Sequence, residues 1–184
     1  MEKRVLVPIA DGTEEIEAVS IIDVLRRAEA KVTVASVSGK PQITASRGVV
    51  LAADCLIDAC ESETFDLIAL PGGMPGATNL AQCPPLIRML QDQRQAGRLY
   101  AAICAAPAVV FRPNGLLDGV KATCFPSMQG QLDPAWLSCE GVVKDKNCIT
   151  AQGPGFALKF SLELVERLFS REKRRIIEKA LLRA

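Results

Sequence analysis

The hydrophobic pattern of this chain predicts strands that alternate with helices. Apolar runs bounded by turn residues are typical of buried strands. They occur at residues 4–9, 31–37, 66–70 and 99–103. Weaker strand patterns lie at 43–46 and 49–51, which predict a hairpin at the sheet margin, and at 120–125, 141–144 and 148–151. The last two are expected to pair across the turn between them.

Helical spacing of apolar residues predicts four helices. The first runs from an N-cap at Thr13 or Asp11 to about Ala28, the second spans 84–96, the third follows Gly153-Pro154-Gly155, and the fourth spans 171–182. On the first helix, the acidic residues Glu14 and Glu17 fall on the apolar face. The helix dipole explains Glu14 at the first turn. It explains Glu17 less well, because a buried carboxylate needs a partner, and we therefore interpret Glu17 as a candidate functional residue.

Strands that alternate with helices favour an α/β fold with a mostly parallel sheet covered on both faces. Ligand sites in such folds form at the carboxyl ends of the strands. Three turns are expected at this edge: the one after the first strand, the Gly72-Gly73 turn and the turn at Cys104. The pattern thus predicts that Glu17, Gly73 and Cys104 meet, although a glycine pair is also common in ordinary turns.

Composition limits the classes of function. The 184 residues suit one domain, 1–184, and the net charge of +1 gives no reason to expect binding to nucleic acid or membranes. A strand pattern that starts at Arg4 leaves no room for a signal peptide. Seven cysteines without a C-x-x-C spacing favour a reduced, cytoplasmic protein with no zinc site. The chain has no histidine, which excludes Cys-His and Ser-His catalysis and histidine-ligated metals within it.

Cys104 is the candidate nucleophile. It ends an apolar run and is followed by small residues, Pro107 and a short helical segment. A sharp strand-to-helix turn would point the first N–H groups of that helix at the sulfur, so we expect Cys104 to lose its proton more easily than a free thiol. The alternative is that Cys104 is a small buried apolar residue, as most free cysteines are.

Four segments together resemble the ThiJ/PfpI superfamily, and within it the branch of the human Parkinson's-disease-associated deglycase and the bacterial ThiJ-like proteins. They are Asp11-Gly12-Thr13-Glu14-Glu15-Ile16-Glu17, Leu70-Pro71-Gly72-Gly73, Ala101-Ala102-Ile103-Cys104-Ala105-Ala106-Pro107 and Gly153-Pro154-Gly155. The resemblance covers nearly the whole chain in order. It implies a flavodoxin-like three-layer sandwich with a nucleophile elbow, and a homodimer.

The resemblance also implies roles for individual residues. Cys104 matches an oxidation-sensitive cysteine, Glu17 the glutamate that shares its proton, and Gly73 and Ala105 the oxyanion hole. Arg47 matches an arginine near the dimer interface and the site. Further residues expected to bind substrate or to lie near the dimer interface are Glu14, Phe125, Gly153 and Pro154. Phe125 stands where the human-type branch has a histidine, so no mechanism that relies on that histidine operates here.

Three functions follow as hypotheses. The first is a cofactor-free and metal-free glutathione-independent glyoxalase and protein deglycase, acting on methylglyoxal, glyoxal and their adducts through Cys104. The second is an oxidative-stress sensor and redox-regulated chaperone that uses the same residues without turnover. The third, a role in thiazole or thiamine synthesis, is not supported by any phosphate-binding Gly-Lys motif.

Overall fold

A seven-stranded sheet forms the centre of the computed structural model, which describes residues 2–182. The strands are β1 (Arg4–Ile9), β2 (Lys31–Ser36), β3 (Gln42–Thr44), β4 (Val50–Ala52), β5 (Cys55–Leu56), β6 (Leu67–Leu70), β7 (Leu99–Ile103), β8 (Val142–Asp145) and β9 (Cys148–Ala151). The sheet order is β5-β2-β1-β6-β7-β9-β8, and every neighbouring pair is parallel except β8 and β9. The outermost strands are β5, with two residues, and β8, with four.

Helices cover both faces of this sheet. They are α1 (Glu15–Arg27), α2 (Gly76–Ala81), α3 (Pro84–Gln95), α4 (Ala157–Leu168) and α5 (Arg171–Ala180). One apolar cluster contains side chains of α1, α4 and α5, and a second contains side chains of α2 and α3. Consecutive residues of β6 alternate between the clusters, with Leu67 and Ala69 in the first and Ile68 and Leu70 in the second. This is why the strands are apolar throughout, and it confirms the predicted flavodoxin-like sandwich.

Most predicted elements are confirmed with small shifts in their ends. The predicted final helix ends at Ala180 rather than at residue 182. The short helical segment after Cys104 is a π-helical turn at Pro107–Phe111 that continues as a 3-10 turn. The predicted 43–51 hairpin exists, but β3 and β4 form their own antiparallel sheet rather than joining the large one.

The N-cap predicted for the first helix is wrong. Glu14 caps α1, and its Oε2 accepts a hydrogen bond from the backbone N–H of Glu17 at 2.8 Å. The two predicted caps are engaged elsewhere. The Thr13 hydroxyl accepts a hydrogen bond from the N–H of Ala10, and the Asp11 carboxylate accepts one from the N–H of Thr44.

The strand predicted at 120–125 is also absent, apart from one isolated bridge between Ala122 and Leu137. The backbone N–H groups of this segment do not pair with a neighbouring strand. The N–H of Thr123 donates to the Thr150 hydroxyl, and the N–H of Phe125 donates to the carbonyl of Cys104 at 2.7 Å. The segment therefore serves as a wall beside Cys104 rather than as a strand of the sheet.

Across residues 2–182, no helix is both long enough and apolar enough to cross a bilayer.

Candidate active site

Cys104 lies at a sharp turn directly after β7, at the carboxyl edge of the sheet. Its φ is +66°, a left-handed conformation that non-glycine residues seldom adopt and that is frequent at functional turns. The backbone is held on both sides, because the N–H of Cys104 donates to the carbonyl of Ala151 at 2.9 Å and its carbonyl accepts from Phe125. The residue is 9% exposed, so the sulfur is recessed but reachable.

Glu17 is completely buried in the first turns of α1. Its Oε2 accepts a hydrogen bond from the N–H of Gly72 at 2.7 Å. Its Oε1 is buried without a hydrogen-bond partner among the groups of residues 2–182. The Cys104 thiol interacts with this carboxyl, since each group shifts the pKa of the other. The meeting of Glu17 and Cys104 predicted from the sheet edge is thus confirmed.

Glycine at positions 72 and 73 allows this close approach. A Cβ on Gly72 would lie 2.6 Å from Cβ of Cys104 and 2.9 Å from Oε2 of Glu17. Gly73 has φ +87°, and a Cβ there would overlap the backbone of Glu14 and Gly12. The Gly72-Gly73 turn is therefore required by packing as well as by backbone conformation.

Burial raises the pKa of Glu17 to about 7, and the nearby Glu14 carboxylate adds to the rise. Burial and the charge of Glu17 raise the pKa of the Cys104 thiol to about 12, against the N–H groups of Gly73 and Ala105, which lower it. The expectation that Cys104 ionises more easily than a free thiol is therefore wrong. The helix-end N–H groups are present, but desolvation and the adjacent carboxylate outweigh them.

The two groups are best described as one titrating pair. After the first proton leaves, near pH 7, one proton remains for the carboxylate and the thiolate together. The thiol keeps that proton, because burial and the charge of Glu17 raise its pKa above that of the carboxyl, although the N–H groups of Gly73 and Ala105 favour the thiolate. Glu17 is then a carboxylate beside the thiol and can accept its proton when the sulfur reacts, so the site contains a base without any histidine.

Cys104 opens into a pocket of about 380 Å³. Six of the predicted site residues line it beside Cys104: Glu14, Arg47, Gly73, Ala105, Phe125 and Pro154. Glu17 lies behind the sulfur. Gly153 lies next to the pocket lining, because a Cβ on it would be 3.3 Å from the Phe125 ring and 4.0 Å from Sγ of Cys104. All nine predicted site residues are therefore at or directly behind one pocket.

Sequence reasoning missed four further residues of the lining: Ser46, Met74, Ser127 and Met128. Ser46 and Met74 are direct neighbours of the predicted Arg47 and Gly73, which was the available signal. Ser127 and Met128 belong to a 3-10 turn at Pro126–Gln131, in a segment whose irregular pattern gave no indication of its position. Phe125 and the two methionines give the pocket an apolar side.

Glu15 connects the pocket margin to α1. Its carboxylate accepts hydrogen bonds from the Ser46 hydroxyl and the Arg47 N–H, both at 2.8 Å. These bonds hold the 46–48 turn against the start of the helix and leave the Arg47 side chain exposed at the pocket mouth. Arg47 is therefore placed to meet an incoming group, whereas Glu15 is used to position it.

Comparisons with known proteins agree with this geometry. A model described as the DJ-1/PfpI family matches residues 3–167. Protein DJ-1 homolog B of Arabidopsis thaliana is 49% identical over 179 residues, which cover 97% of this chain and 41% of the plant protein. The chain thus spans less than half the length of that relative.

Two other proteins match over nearly their full length. The glutathione-independent glyoxalase DJR-1.2 of Caenorhabditis elegans is 34% identical over 180 residues, covering 96% of this chain and 94% of the worm protein. The solved structure of oxidized Toxoplasma gondii DJ-1 is 46% identical and superposes with a TM-score of 0.98, covering 99% of each chain.

Proposed function

This chain belongs to the DJ-1/PfpI family, and from that premise we propose that it is a cofactor-independent glyoxalase and protein deglycase that uses Cys104 as its nucleophile. Its substrates are small 2-oxoaldehydes, such as methylglyoxal and glyoxal, and their adducts on side chains. The observation that carries the proposal is the buried carboxyl of Glu17 beside Cys104 at the base of an open pocket. The worm relative named as a glutathione-independent glyoxalase supports it.

The proposed reaction starts when the Cys104 sulfur attacks the aldehyde carbon. A carbon–sulfur bond forms, the thiol proton passes to the Glu17 carboxylate, and the carbonyl electrons move to the oxygen. The N–H groups of Gly73 and Ala105 stabilise this oxyanion, a contribution of about 3–4 kcal/mol per donor in comparable sites. Both N–H groups are close enough to the sulfur to lower the pKa of Cys104.

Glu17 first passes that proton to the oxyanion, and its carboxylate then moves a proton between the two adjacent carbons of the substrate. Its pKa of about 7 suits this role, because the carboxyl both accepts and returns a proton near neutral pH. Transfer of the proton from the former aldehyde carbon to the neighbouring carbon, with the hydroxyl proton passing to the second oxygen, leaves a thioester on Cys104. Water hydrolyses the thioester, and lactate leaves when the substrate is methylglyoxal, or glycolate when it is glyoxal.

The test is a lactate assay with methylglyoxal on the purified chain and its Cys104→Ala variant. We expect the wild type to form lactate without glutathione and Cys104→Ala to form none. Cys139→Ala is a matched control, because Cys139 is an exposed cysteine that is not part of the pocket lining. Retained turnover in folded Cys104→Ala protein would refute the assignment.

A second function, redox sensing with chaperone activity, uses the same sulfur. The oxidized form of the Toxoplasma gondii protein favours it, since that structure superposes closely on this chain. Peroxide would convert Cys104 to a sulfenic and then a sulfinic acid, with Gly73 and Ala105 donating to the new oxygens. Selective oxidation of Cys104 in a protein that forms no lactate would favour the sensor over the enzyme.

We also propose that the chain functions as a homodimer. On α1 and the β3–β4 hairpin, four large apolar residues are between 47% and 61% exposed: Ile16, Val19, Val49 and Val50. They lie on α1 and the β3–β4 hairpin, which Glu15 ties together through Ser46 and Arg47. A second copy covering this surface would remove it from water and lie beside the pocket mouth.

A further inference from the structure

Two cysteines outside the Cys104 site face each other at one edge of the large sheet. Sγ of Cys55, on the edge strand β5, is 3.6 Å from Sγ of Cys60. Cys60 ends the 3-10 turn at Ile57–Cys60 that directly follows β5. A small buried residue is the common role of a free cysteine, but two sulfurs in contact are also the starting arrangement of a disulfide.

The two thiols differ in access to solvent. Cys55 is partly exposed, whereas Cys60 is 2% exposed and belongs to the second apolar cluster. Burial, together with the adjacent Cys55, raises the pKa of Cys60 to about 12. An oxidant in solution therefore meets Cys55 first, and Cys60 is placed behind it as the resolving thiol.

Closing the pair requires little rearrangement. A disulfide is about 2.05 Å long, so the sulfurs have to approach by about 1.5 Å. Three of the four connecting residues, Leu56, Asp58 and Ala59, are exposed, and only Ile57 is buried in the second apolar cluster. The loop can therefore adjust while the rest of the core stays packed.

We propose that Cys55 and Cys60 form a second thiol site, which hydrogen peroxide or an organic hydroperoxide converts reversibly into an intramolecular disulfide. In the first step the Cys55 thiolate attacks a peroxide oxygen; a sulfur–oxygen bond forms, the oxygen–oxygen bond breaks, and hydroxide or alkoxide leaves. Cys55 is then a sulfenic acid. In the second step Cys60, after losing its proton, attacks this sulfur. The sulfur–sulfur bond forms, and the departing hydroxide takes a proton to become water.

The dithiol site is separate from the pocket. Three strands, β2, β1 and β6, lie between β5 and the strand that leads to Cys104. Neither Cys55 nor Cys60 lines the pocket. The site therefore does not rest on the proposed function, and we expect the same disulfide in a Cys104→Ala protein.

The sequence allows a direct test by mass spectrometry of the full chain, as wild type and as Cys104→Ala. After graded peroxide, free thiols are blocked in denaturant with N-ethylmaleimide, and the oxidised ones are reduced and labelled with its deuterated form. Digestion with trypsin and a glutamate-specific protease releases residues 48–61, which contain Cys55 and Cys60 and no third cysteine. Before reduction, we expect the peptide from peroxide-treated protein to carry no N-ethylmaleimide and to be two hydrogens lighter than the same peptide with two free thiols. Both heavy labels should appear after reduction.

Variants identify the order of events. In Cys60→Ser we expect dimedone to trap a sulfenic acid on Cys55, and in Cys55→Ser we expect Cys60 to stay reduced at the same peroxide dose. Cys83→Ser is the matched control, since Cys83 is a nearby cysteine that is 8% exposed, and it should leave the disulfide intact. The proposal is overturned if the wild-type peptide keeps both thiols at a dose that fully oxidises Cys104. It is also overturned if Cys60 is found linked to Cys83 or only to another chain.

Discussion

The Oε2 atom of Glu17 accepts a hydrogen bond from the N–H of Gly72 at 2.7 Å, while its Oε1 is left without a hydrogen-bond partner among residues 2–182. A buried carboxyl with one satisfied and one unsatisfied oxygen is well suited to carry a proton on the second. Above about pH 7 this second oxygen can accept the proton of the Cys104 thiol when the sulfur reacts.

We expect the reactivity of Cys104 to follow the titration of the pair. In the wild type, the rate of alkylation by iodoacetamide should rise with pH through about 7, where Glu17 and Cys104 together lose their first proton. In Glu17→Gln this inflection should disappear, because glutamine has no proton to lose and cannot take the one from the thiol. Lactate formation should fall at least about tenfold, as is typical when a general acid or base is removed. An unchanged inflection near pH 7 in the variant would assign it to another group.

The same carboxyl should lower the stability of the protein above neutral pH. The unfolded chain releases the Glu17 proton near the ordinary pKa of 4.5, and the folded chain near 7. The folded state therefore loses relative stability as the pH rises between these values, and the full difference, about 3 kcal/mol, applies above pH 7. Glu17→Gln, which keeps an oxygen for the N–H of Gly72, should be more stable than the wild type by up to this amount at pH 8 and equally stable near pH 4.5.

Urea unfolding across this pH range measures the effect. Glu140→Gln is a suitable control, because the Glu140 side chain is 70% exposed. Its stability relative to the wild type should change little between pH 5 and pH 8. A Glu17→Gln variant that is less stable than the wild type at pH 8 would contradict the assigned cost of burying this carboxylate.

Gly72→Ala should damage both stability and activity. The new methyl group would lie 2.6 Å from Cβ of Cys104 and 2.9 Å from Oε2 of Glu17, so the elbow and the carboxyl have to separate. Overpacking of this kind costs about 1–3 kcal/mol. In Gly130→Ala, by contrast, the methyl group has nothing within 4 Å, so little change is expected. Thermal unfolding and the lactate assay together would show whether the two positions differ as stated.

A charge in the exposed apolar surface should prevent dimer formation. Ile16→Lys places an ammonium group on the surface formed by α1 and the β3–β4 hairpin. Ile176→Lys, on α5, is the matched control, because Ile16 and Ile176 are both 57% exposed. Analytical ultracentrifugation should find the wild type and Ile176→Lys as dimers and Ile16→Lys as a monomer. A wild-type monomer at micromolar concentration would exclude the proposed assembly under those conditions.

The sheet and the location of the site were predictable because each depends on local signals. Apolar runs bounded by glycine, proline and polar residues mark β1, β6 and β7, and parallel strands bring their carboxyl ends to one edge. Glu17 stood out because an acid on an apolar helix face requires a partner. That partner, the N–H of Gly72, is 55 positions away and becomes visible only in three dimensions.

Short elements and charge equilibria were not predictable in the same way. Strand β5 has two residues and α2 has six. These elements are too short for the two-residue period of a strand or the 3.6-residue period of a helix to appear in the hydrophobic pattern. The pKa of Cys104 depends on how deeply the sulfur is buried and on the charge of Glu17, neither of which can be read from the residues next to it. The N–H groups at the end of the helix, taken alone, predicted a lowered pKa for Cys104.

The short edge strands have a consequence for how copies of this chain can associate. At one edge β5 offers two residues of backbone, and at the other the side chain of Lys144 is tied to Glu163 of α4 by an ion pair of 2.6 Å. Neither edge presents a long row of free amides and carbonyls, so continuous intermolecular β-sheets have little template from which to grow. The chain is thereby protected against polymerising through its own backbone.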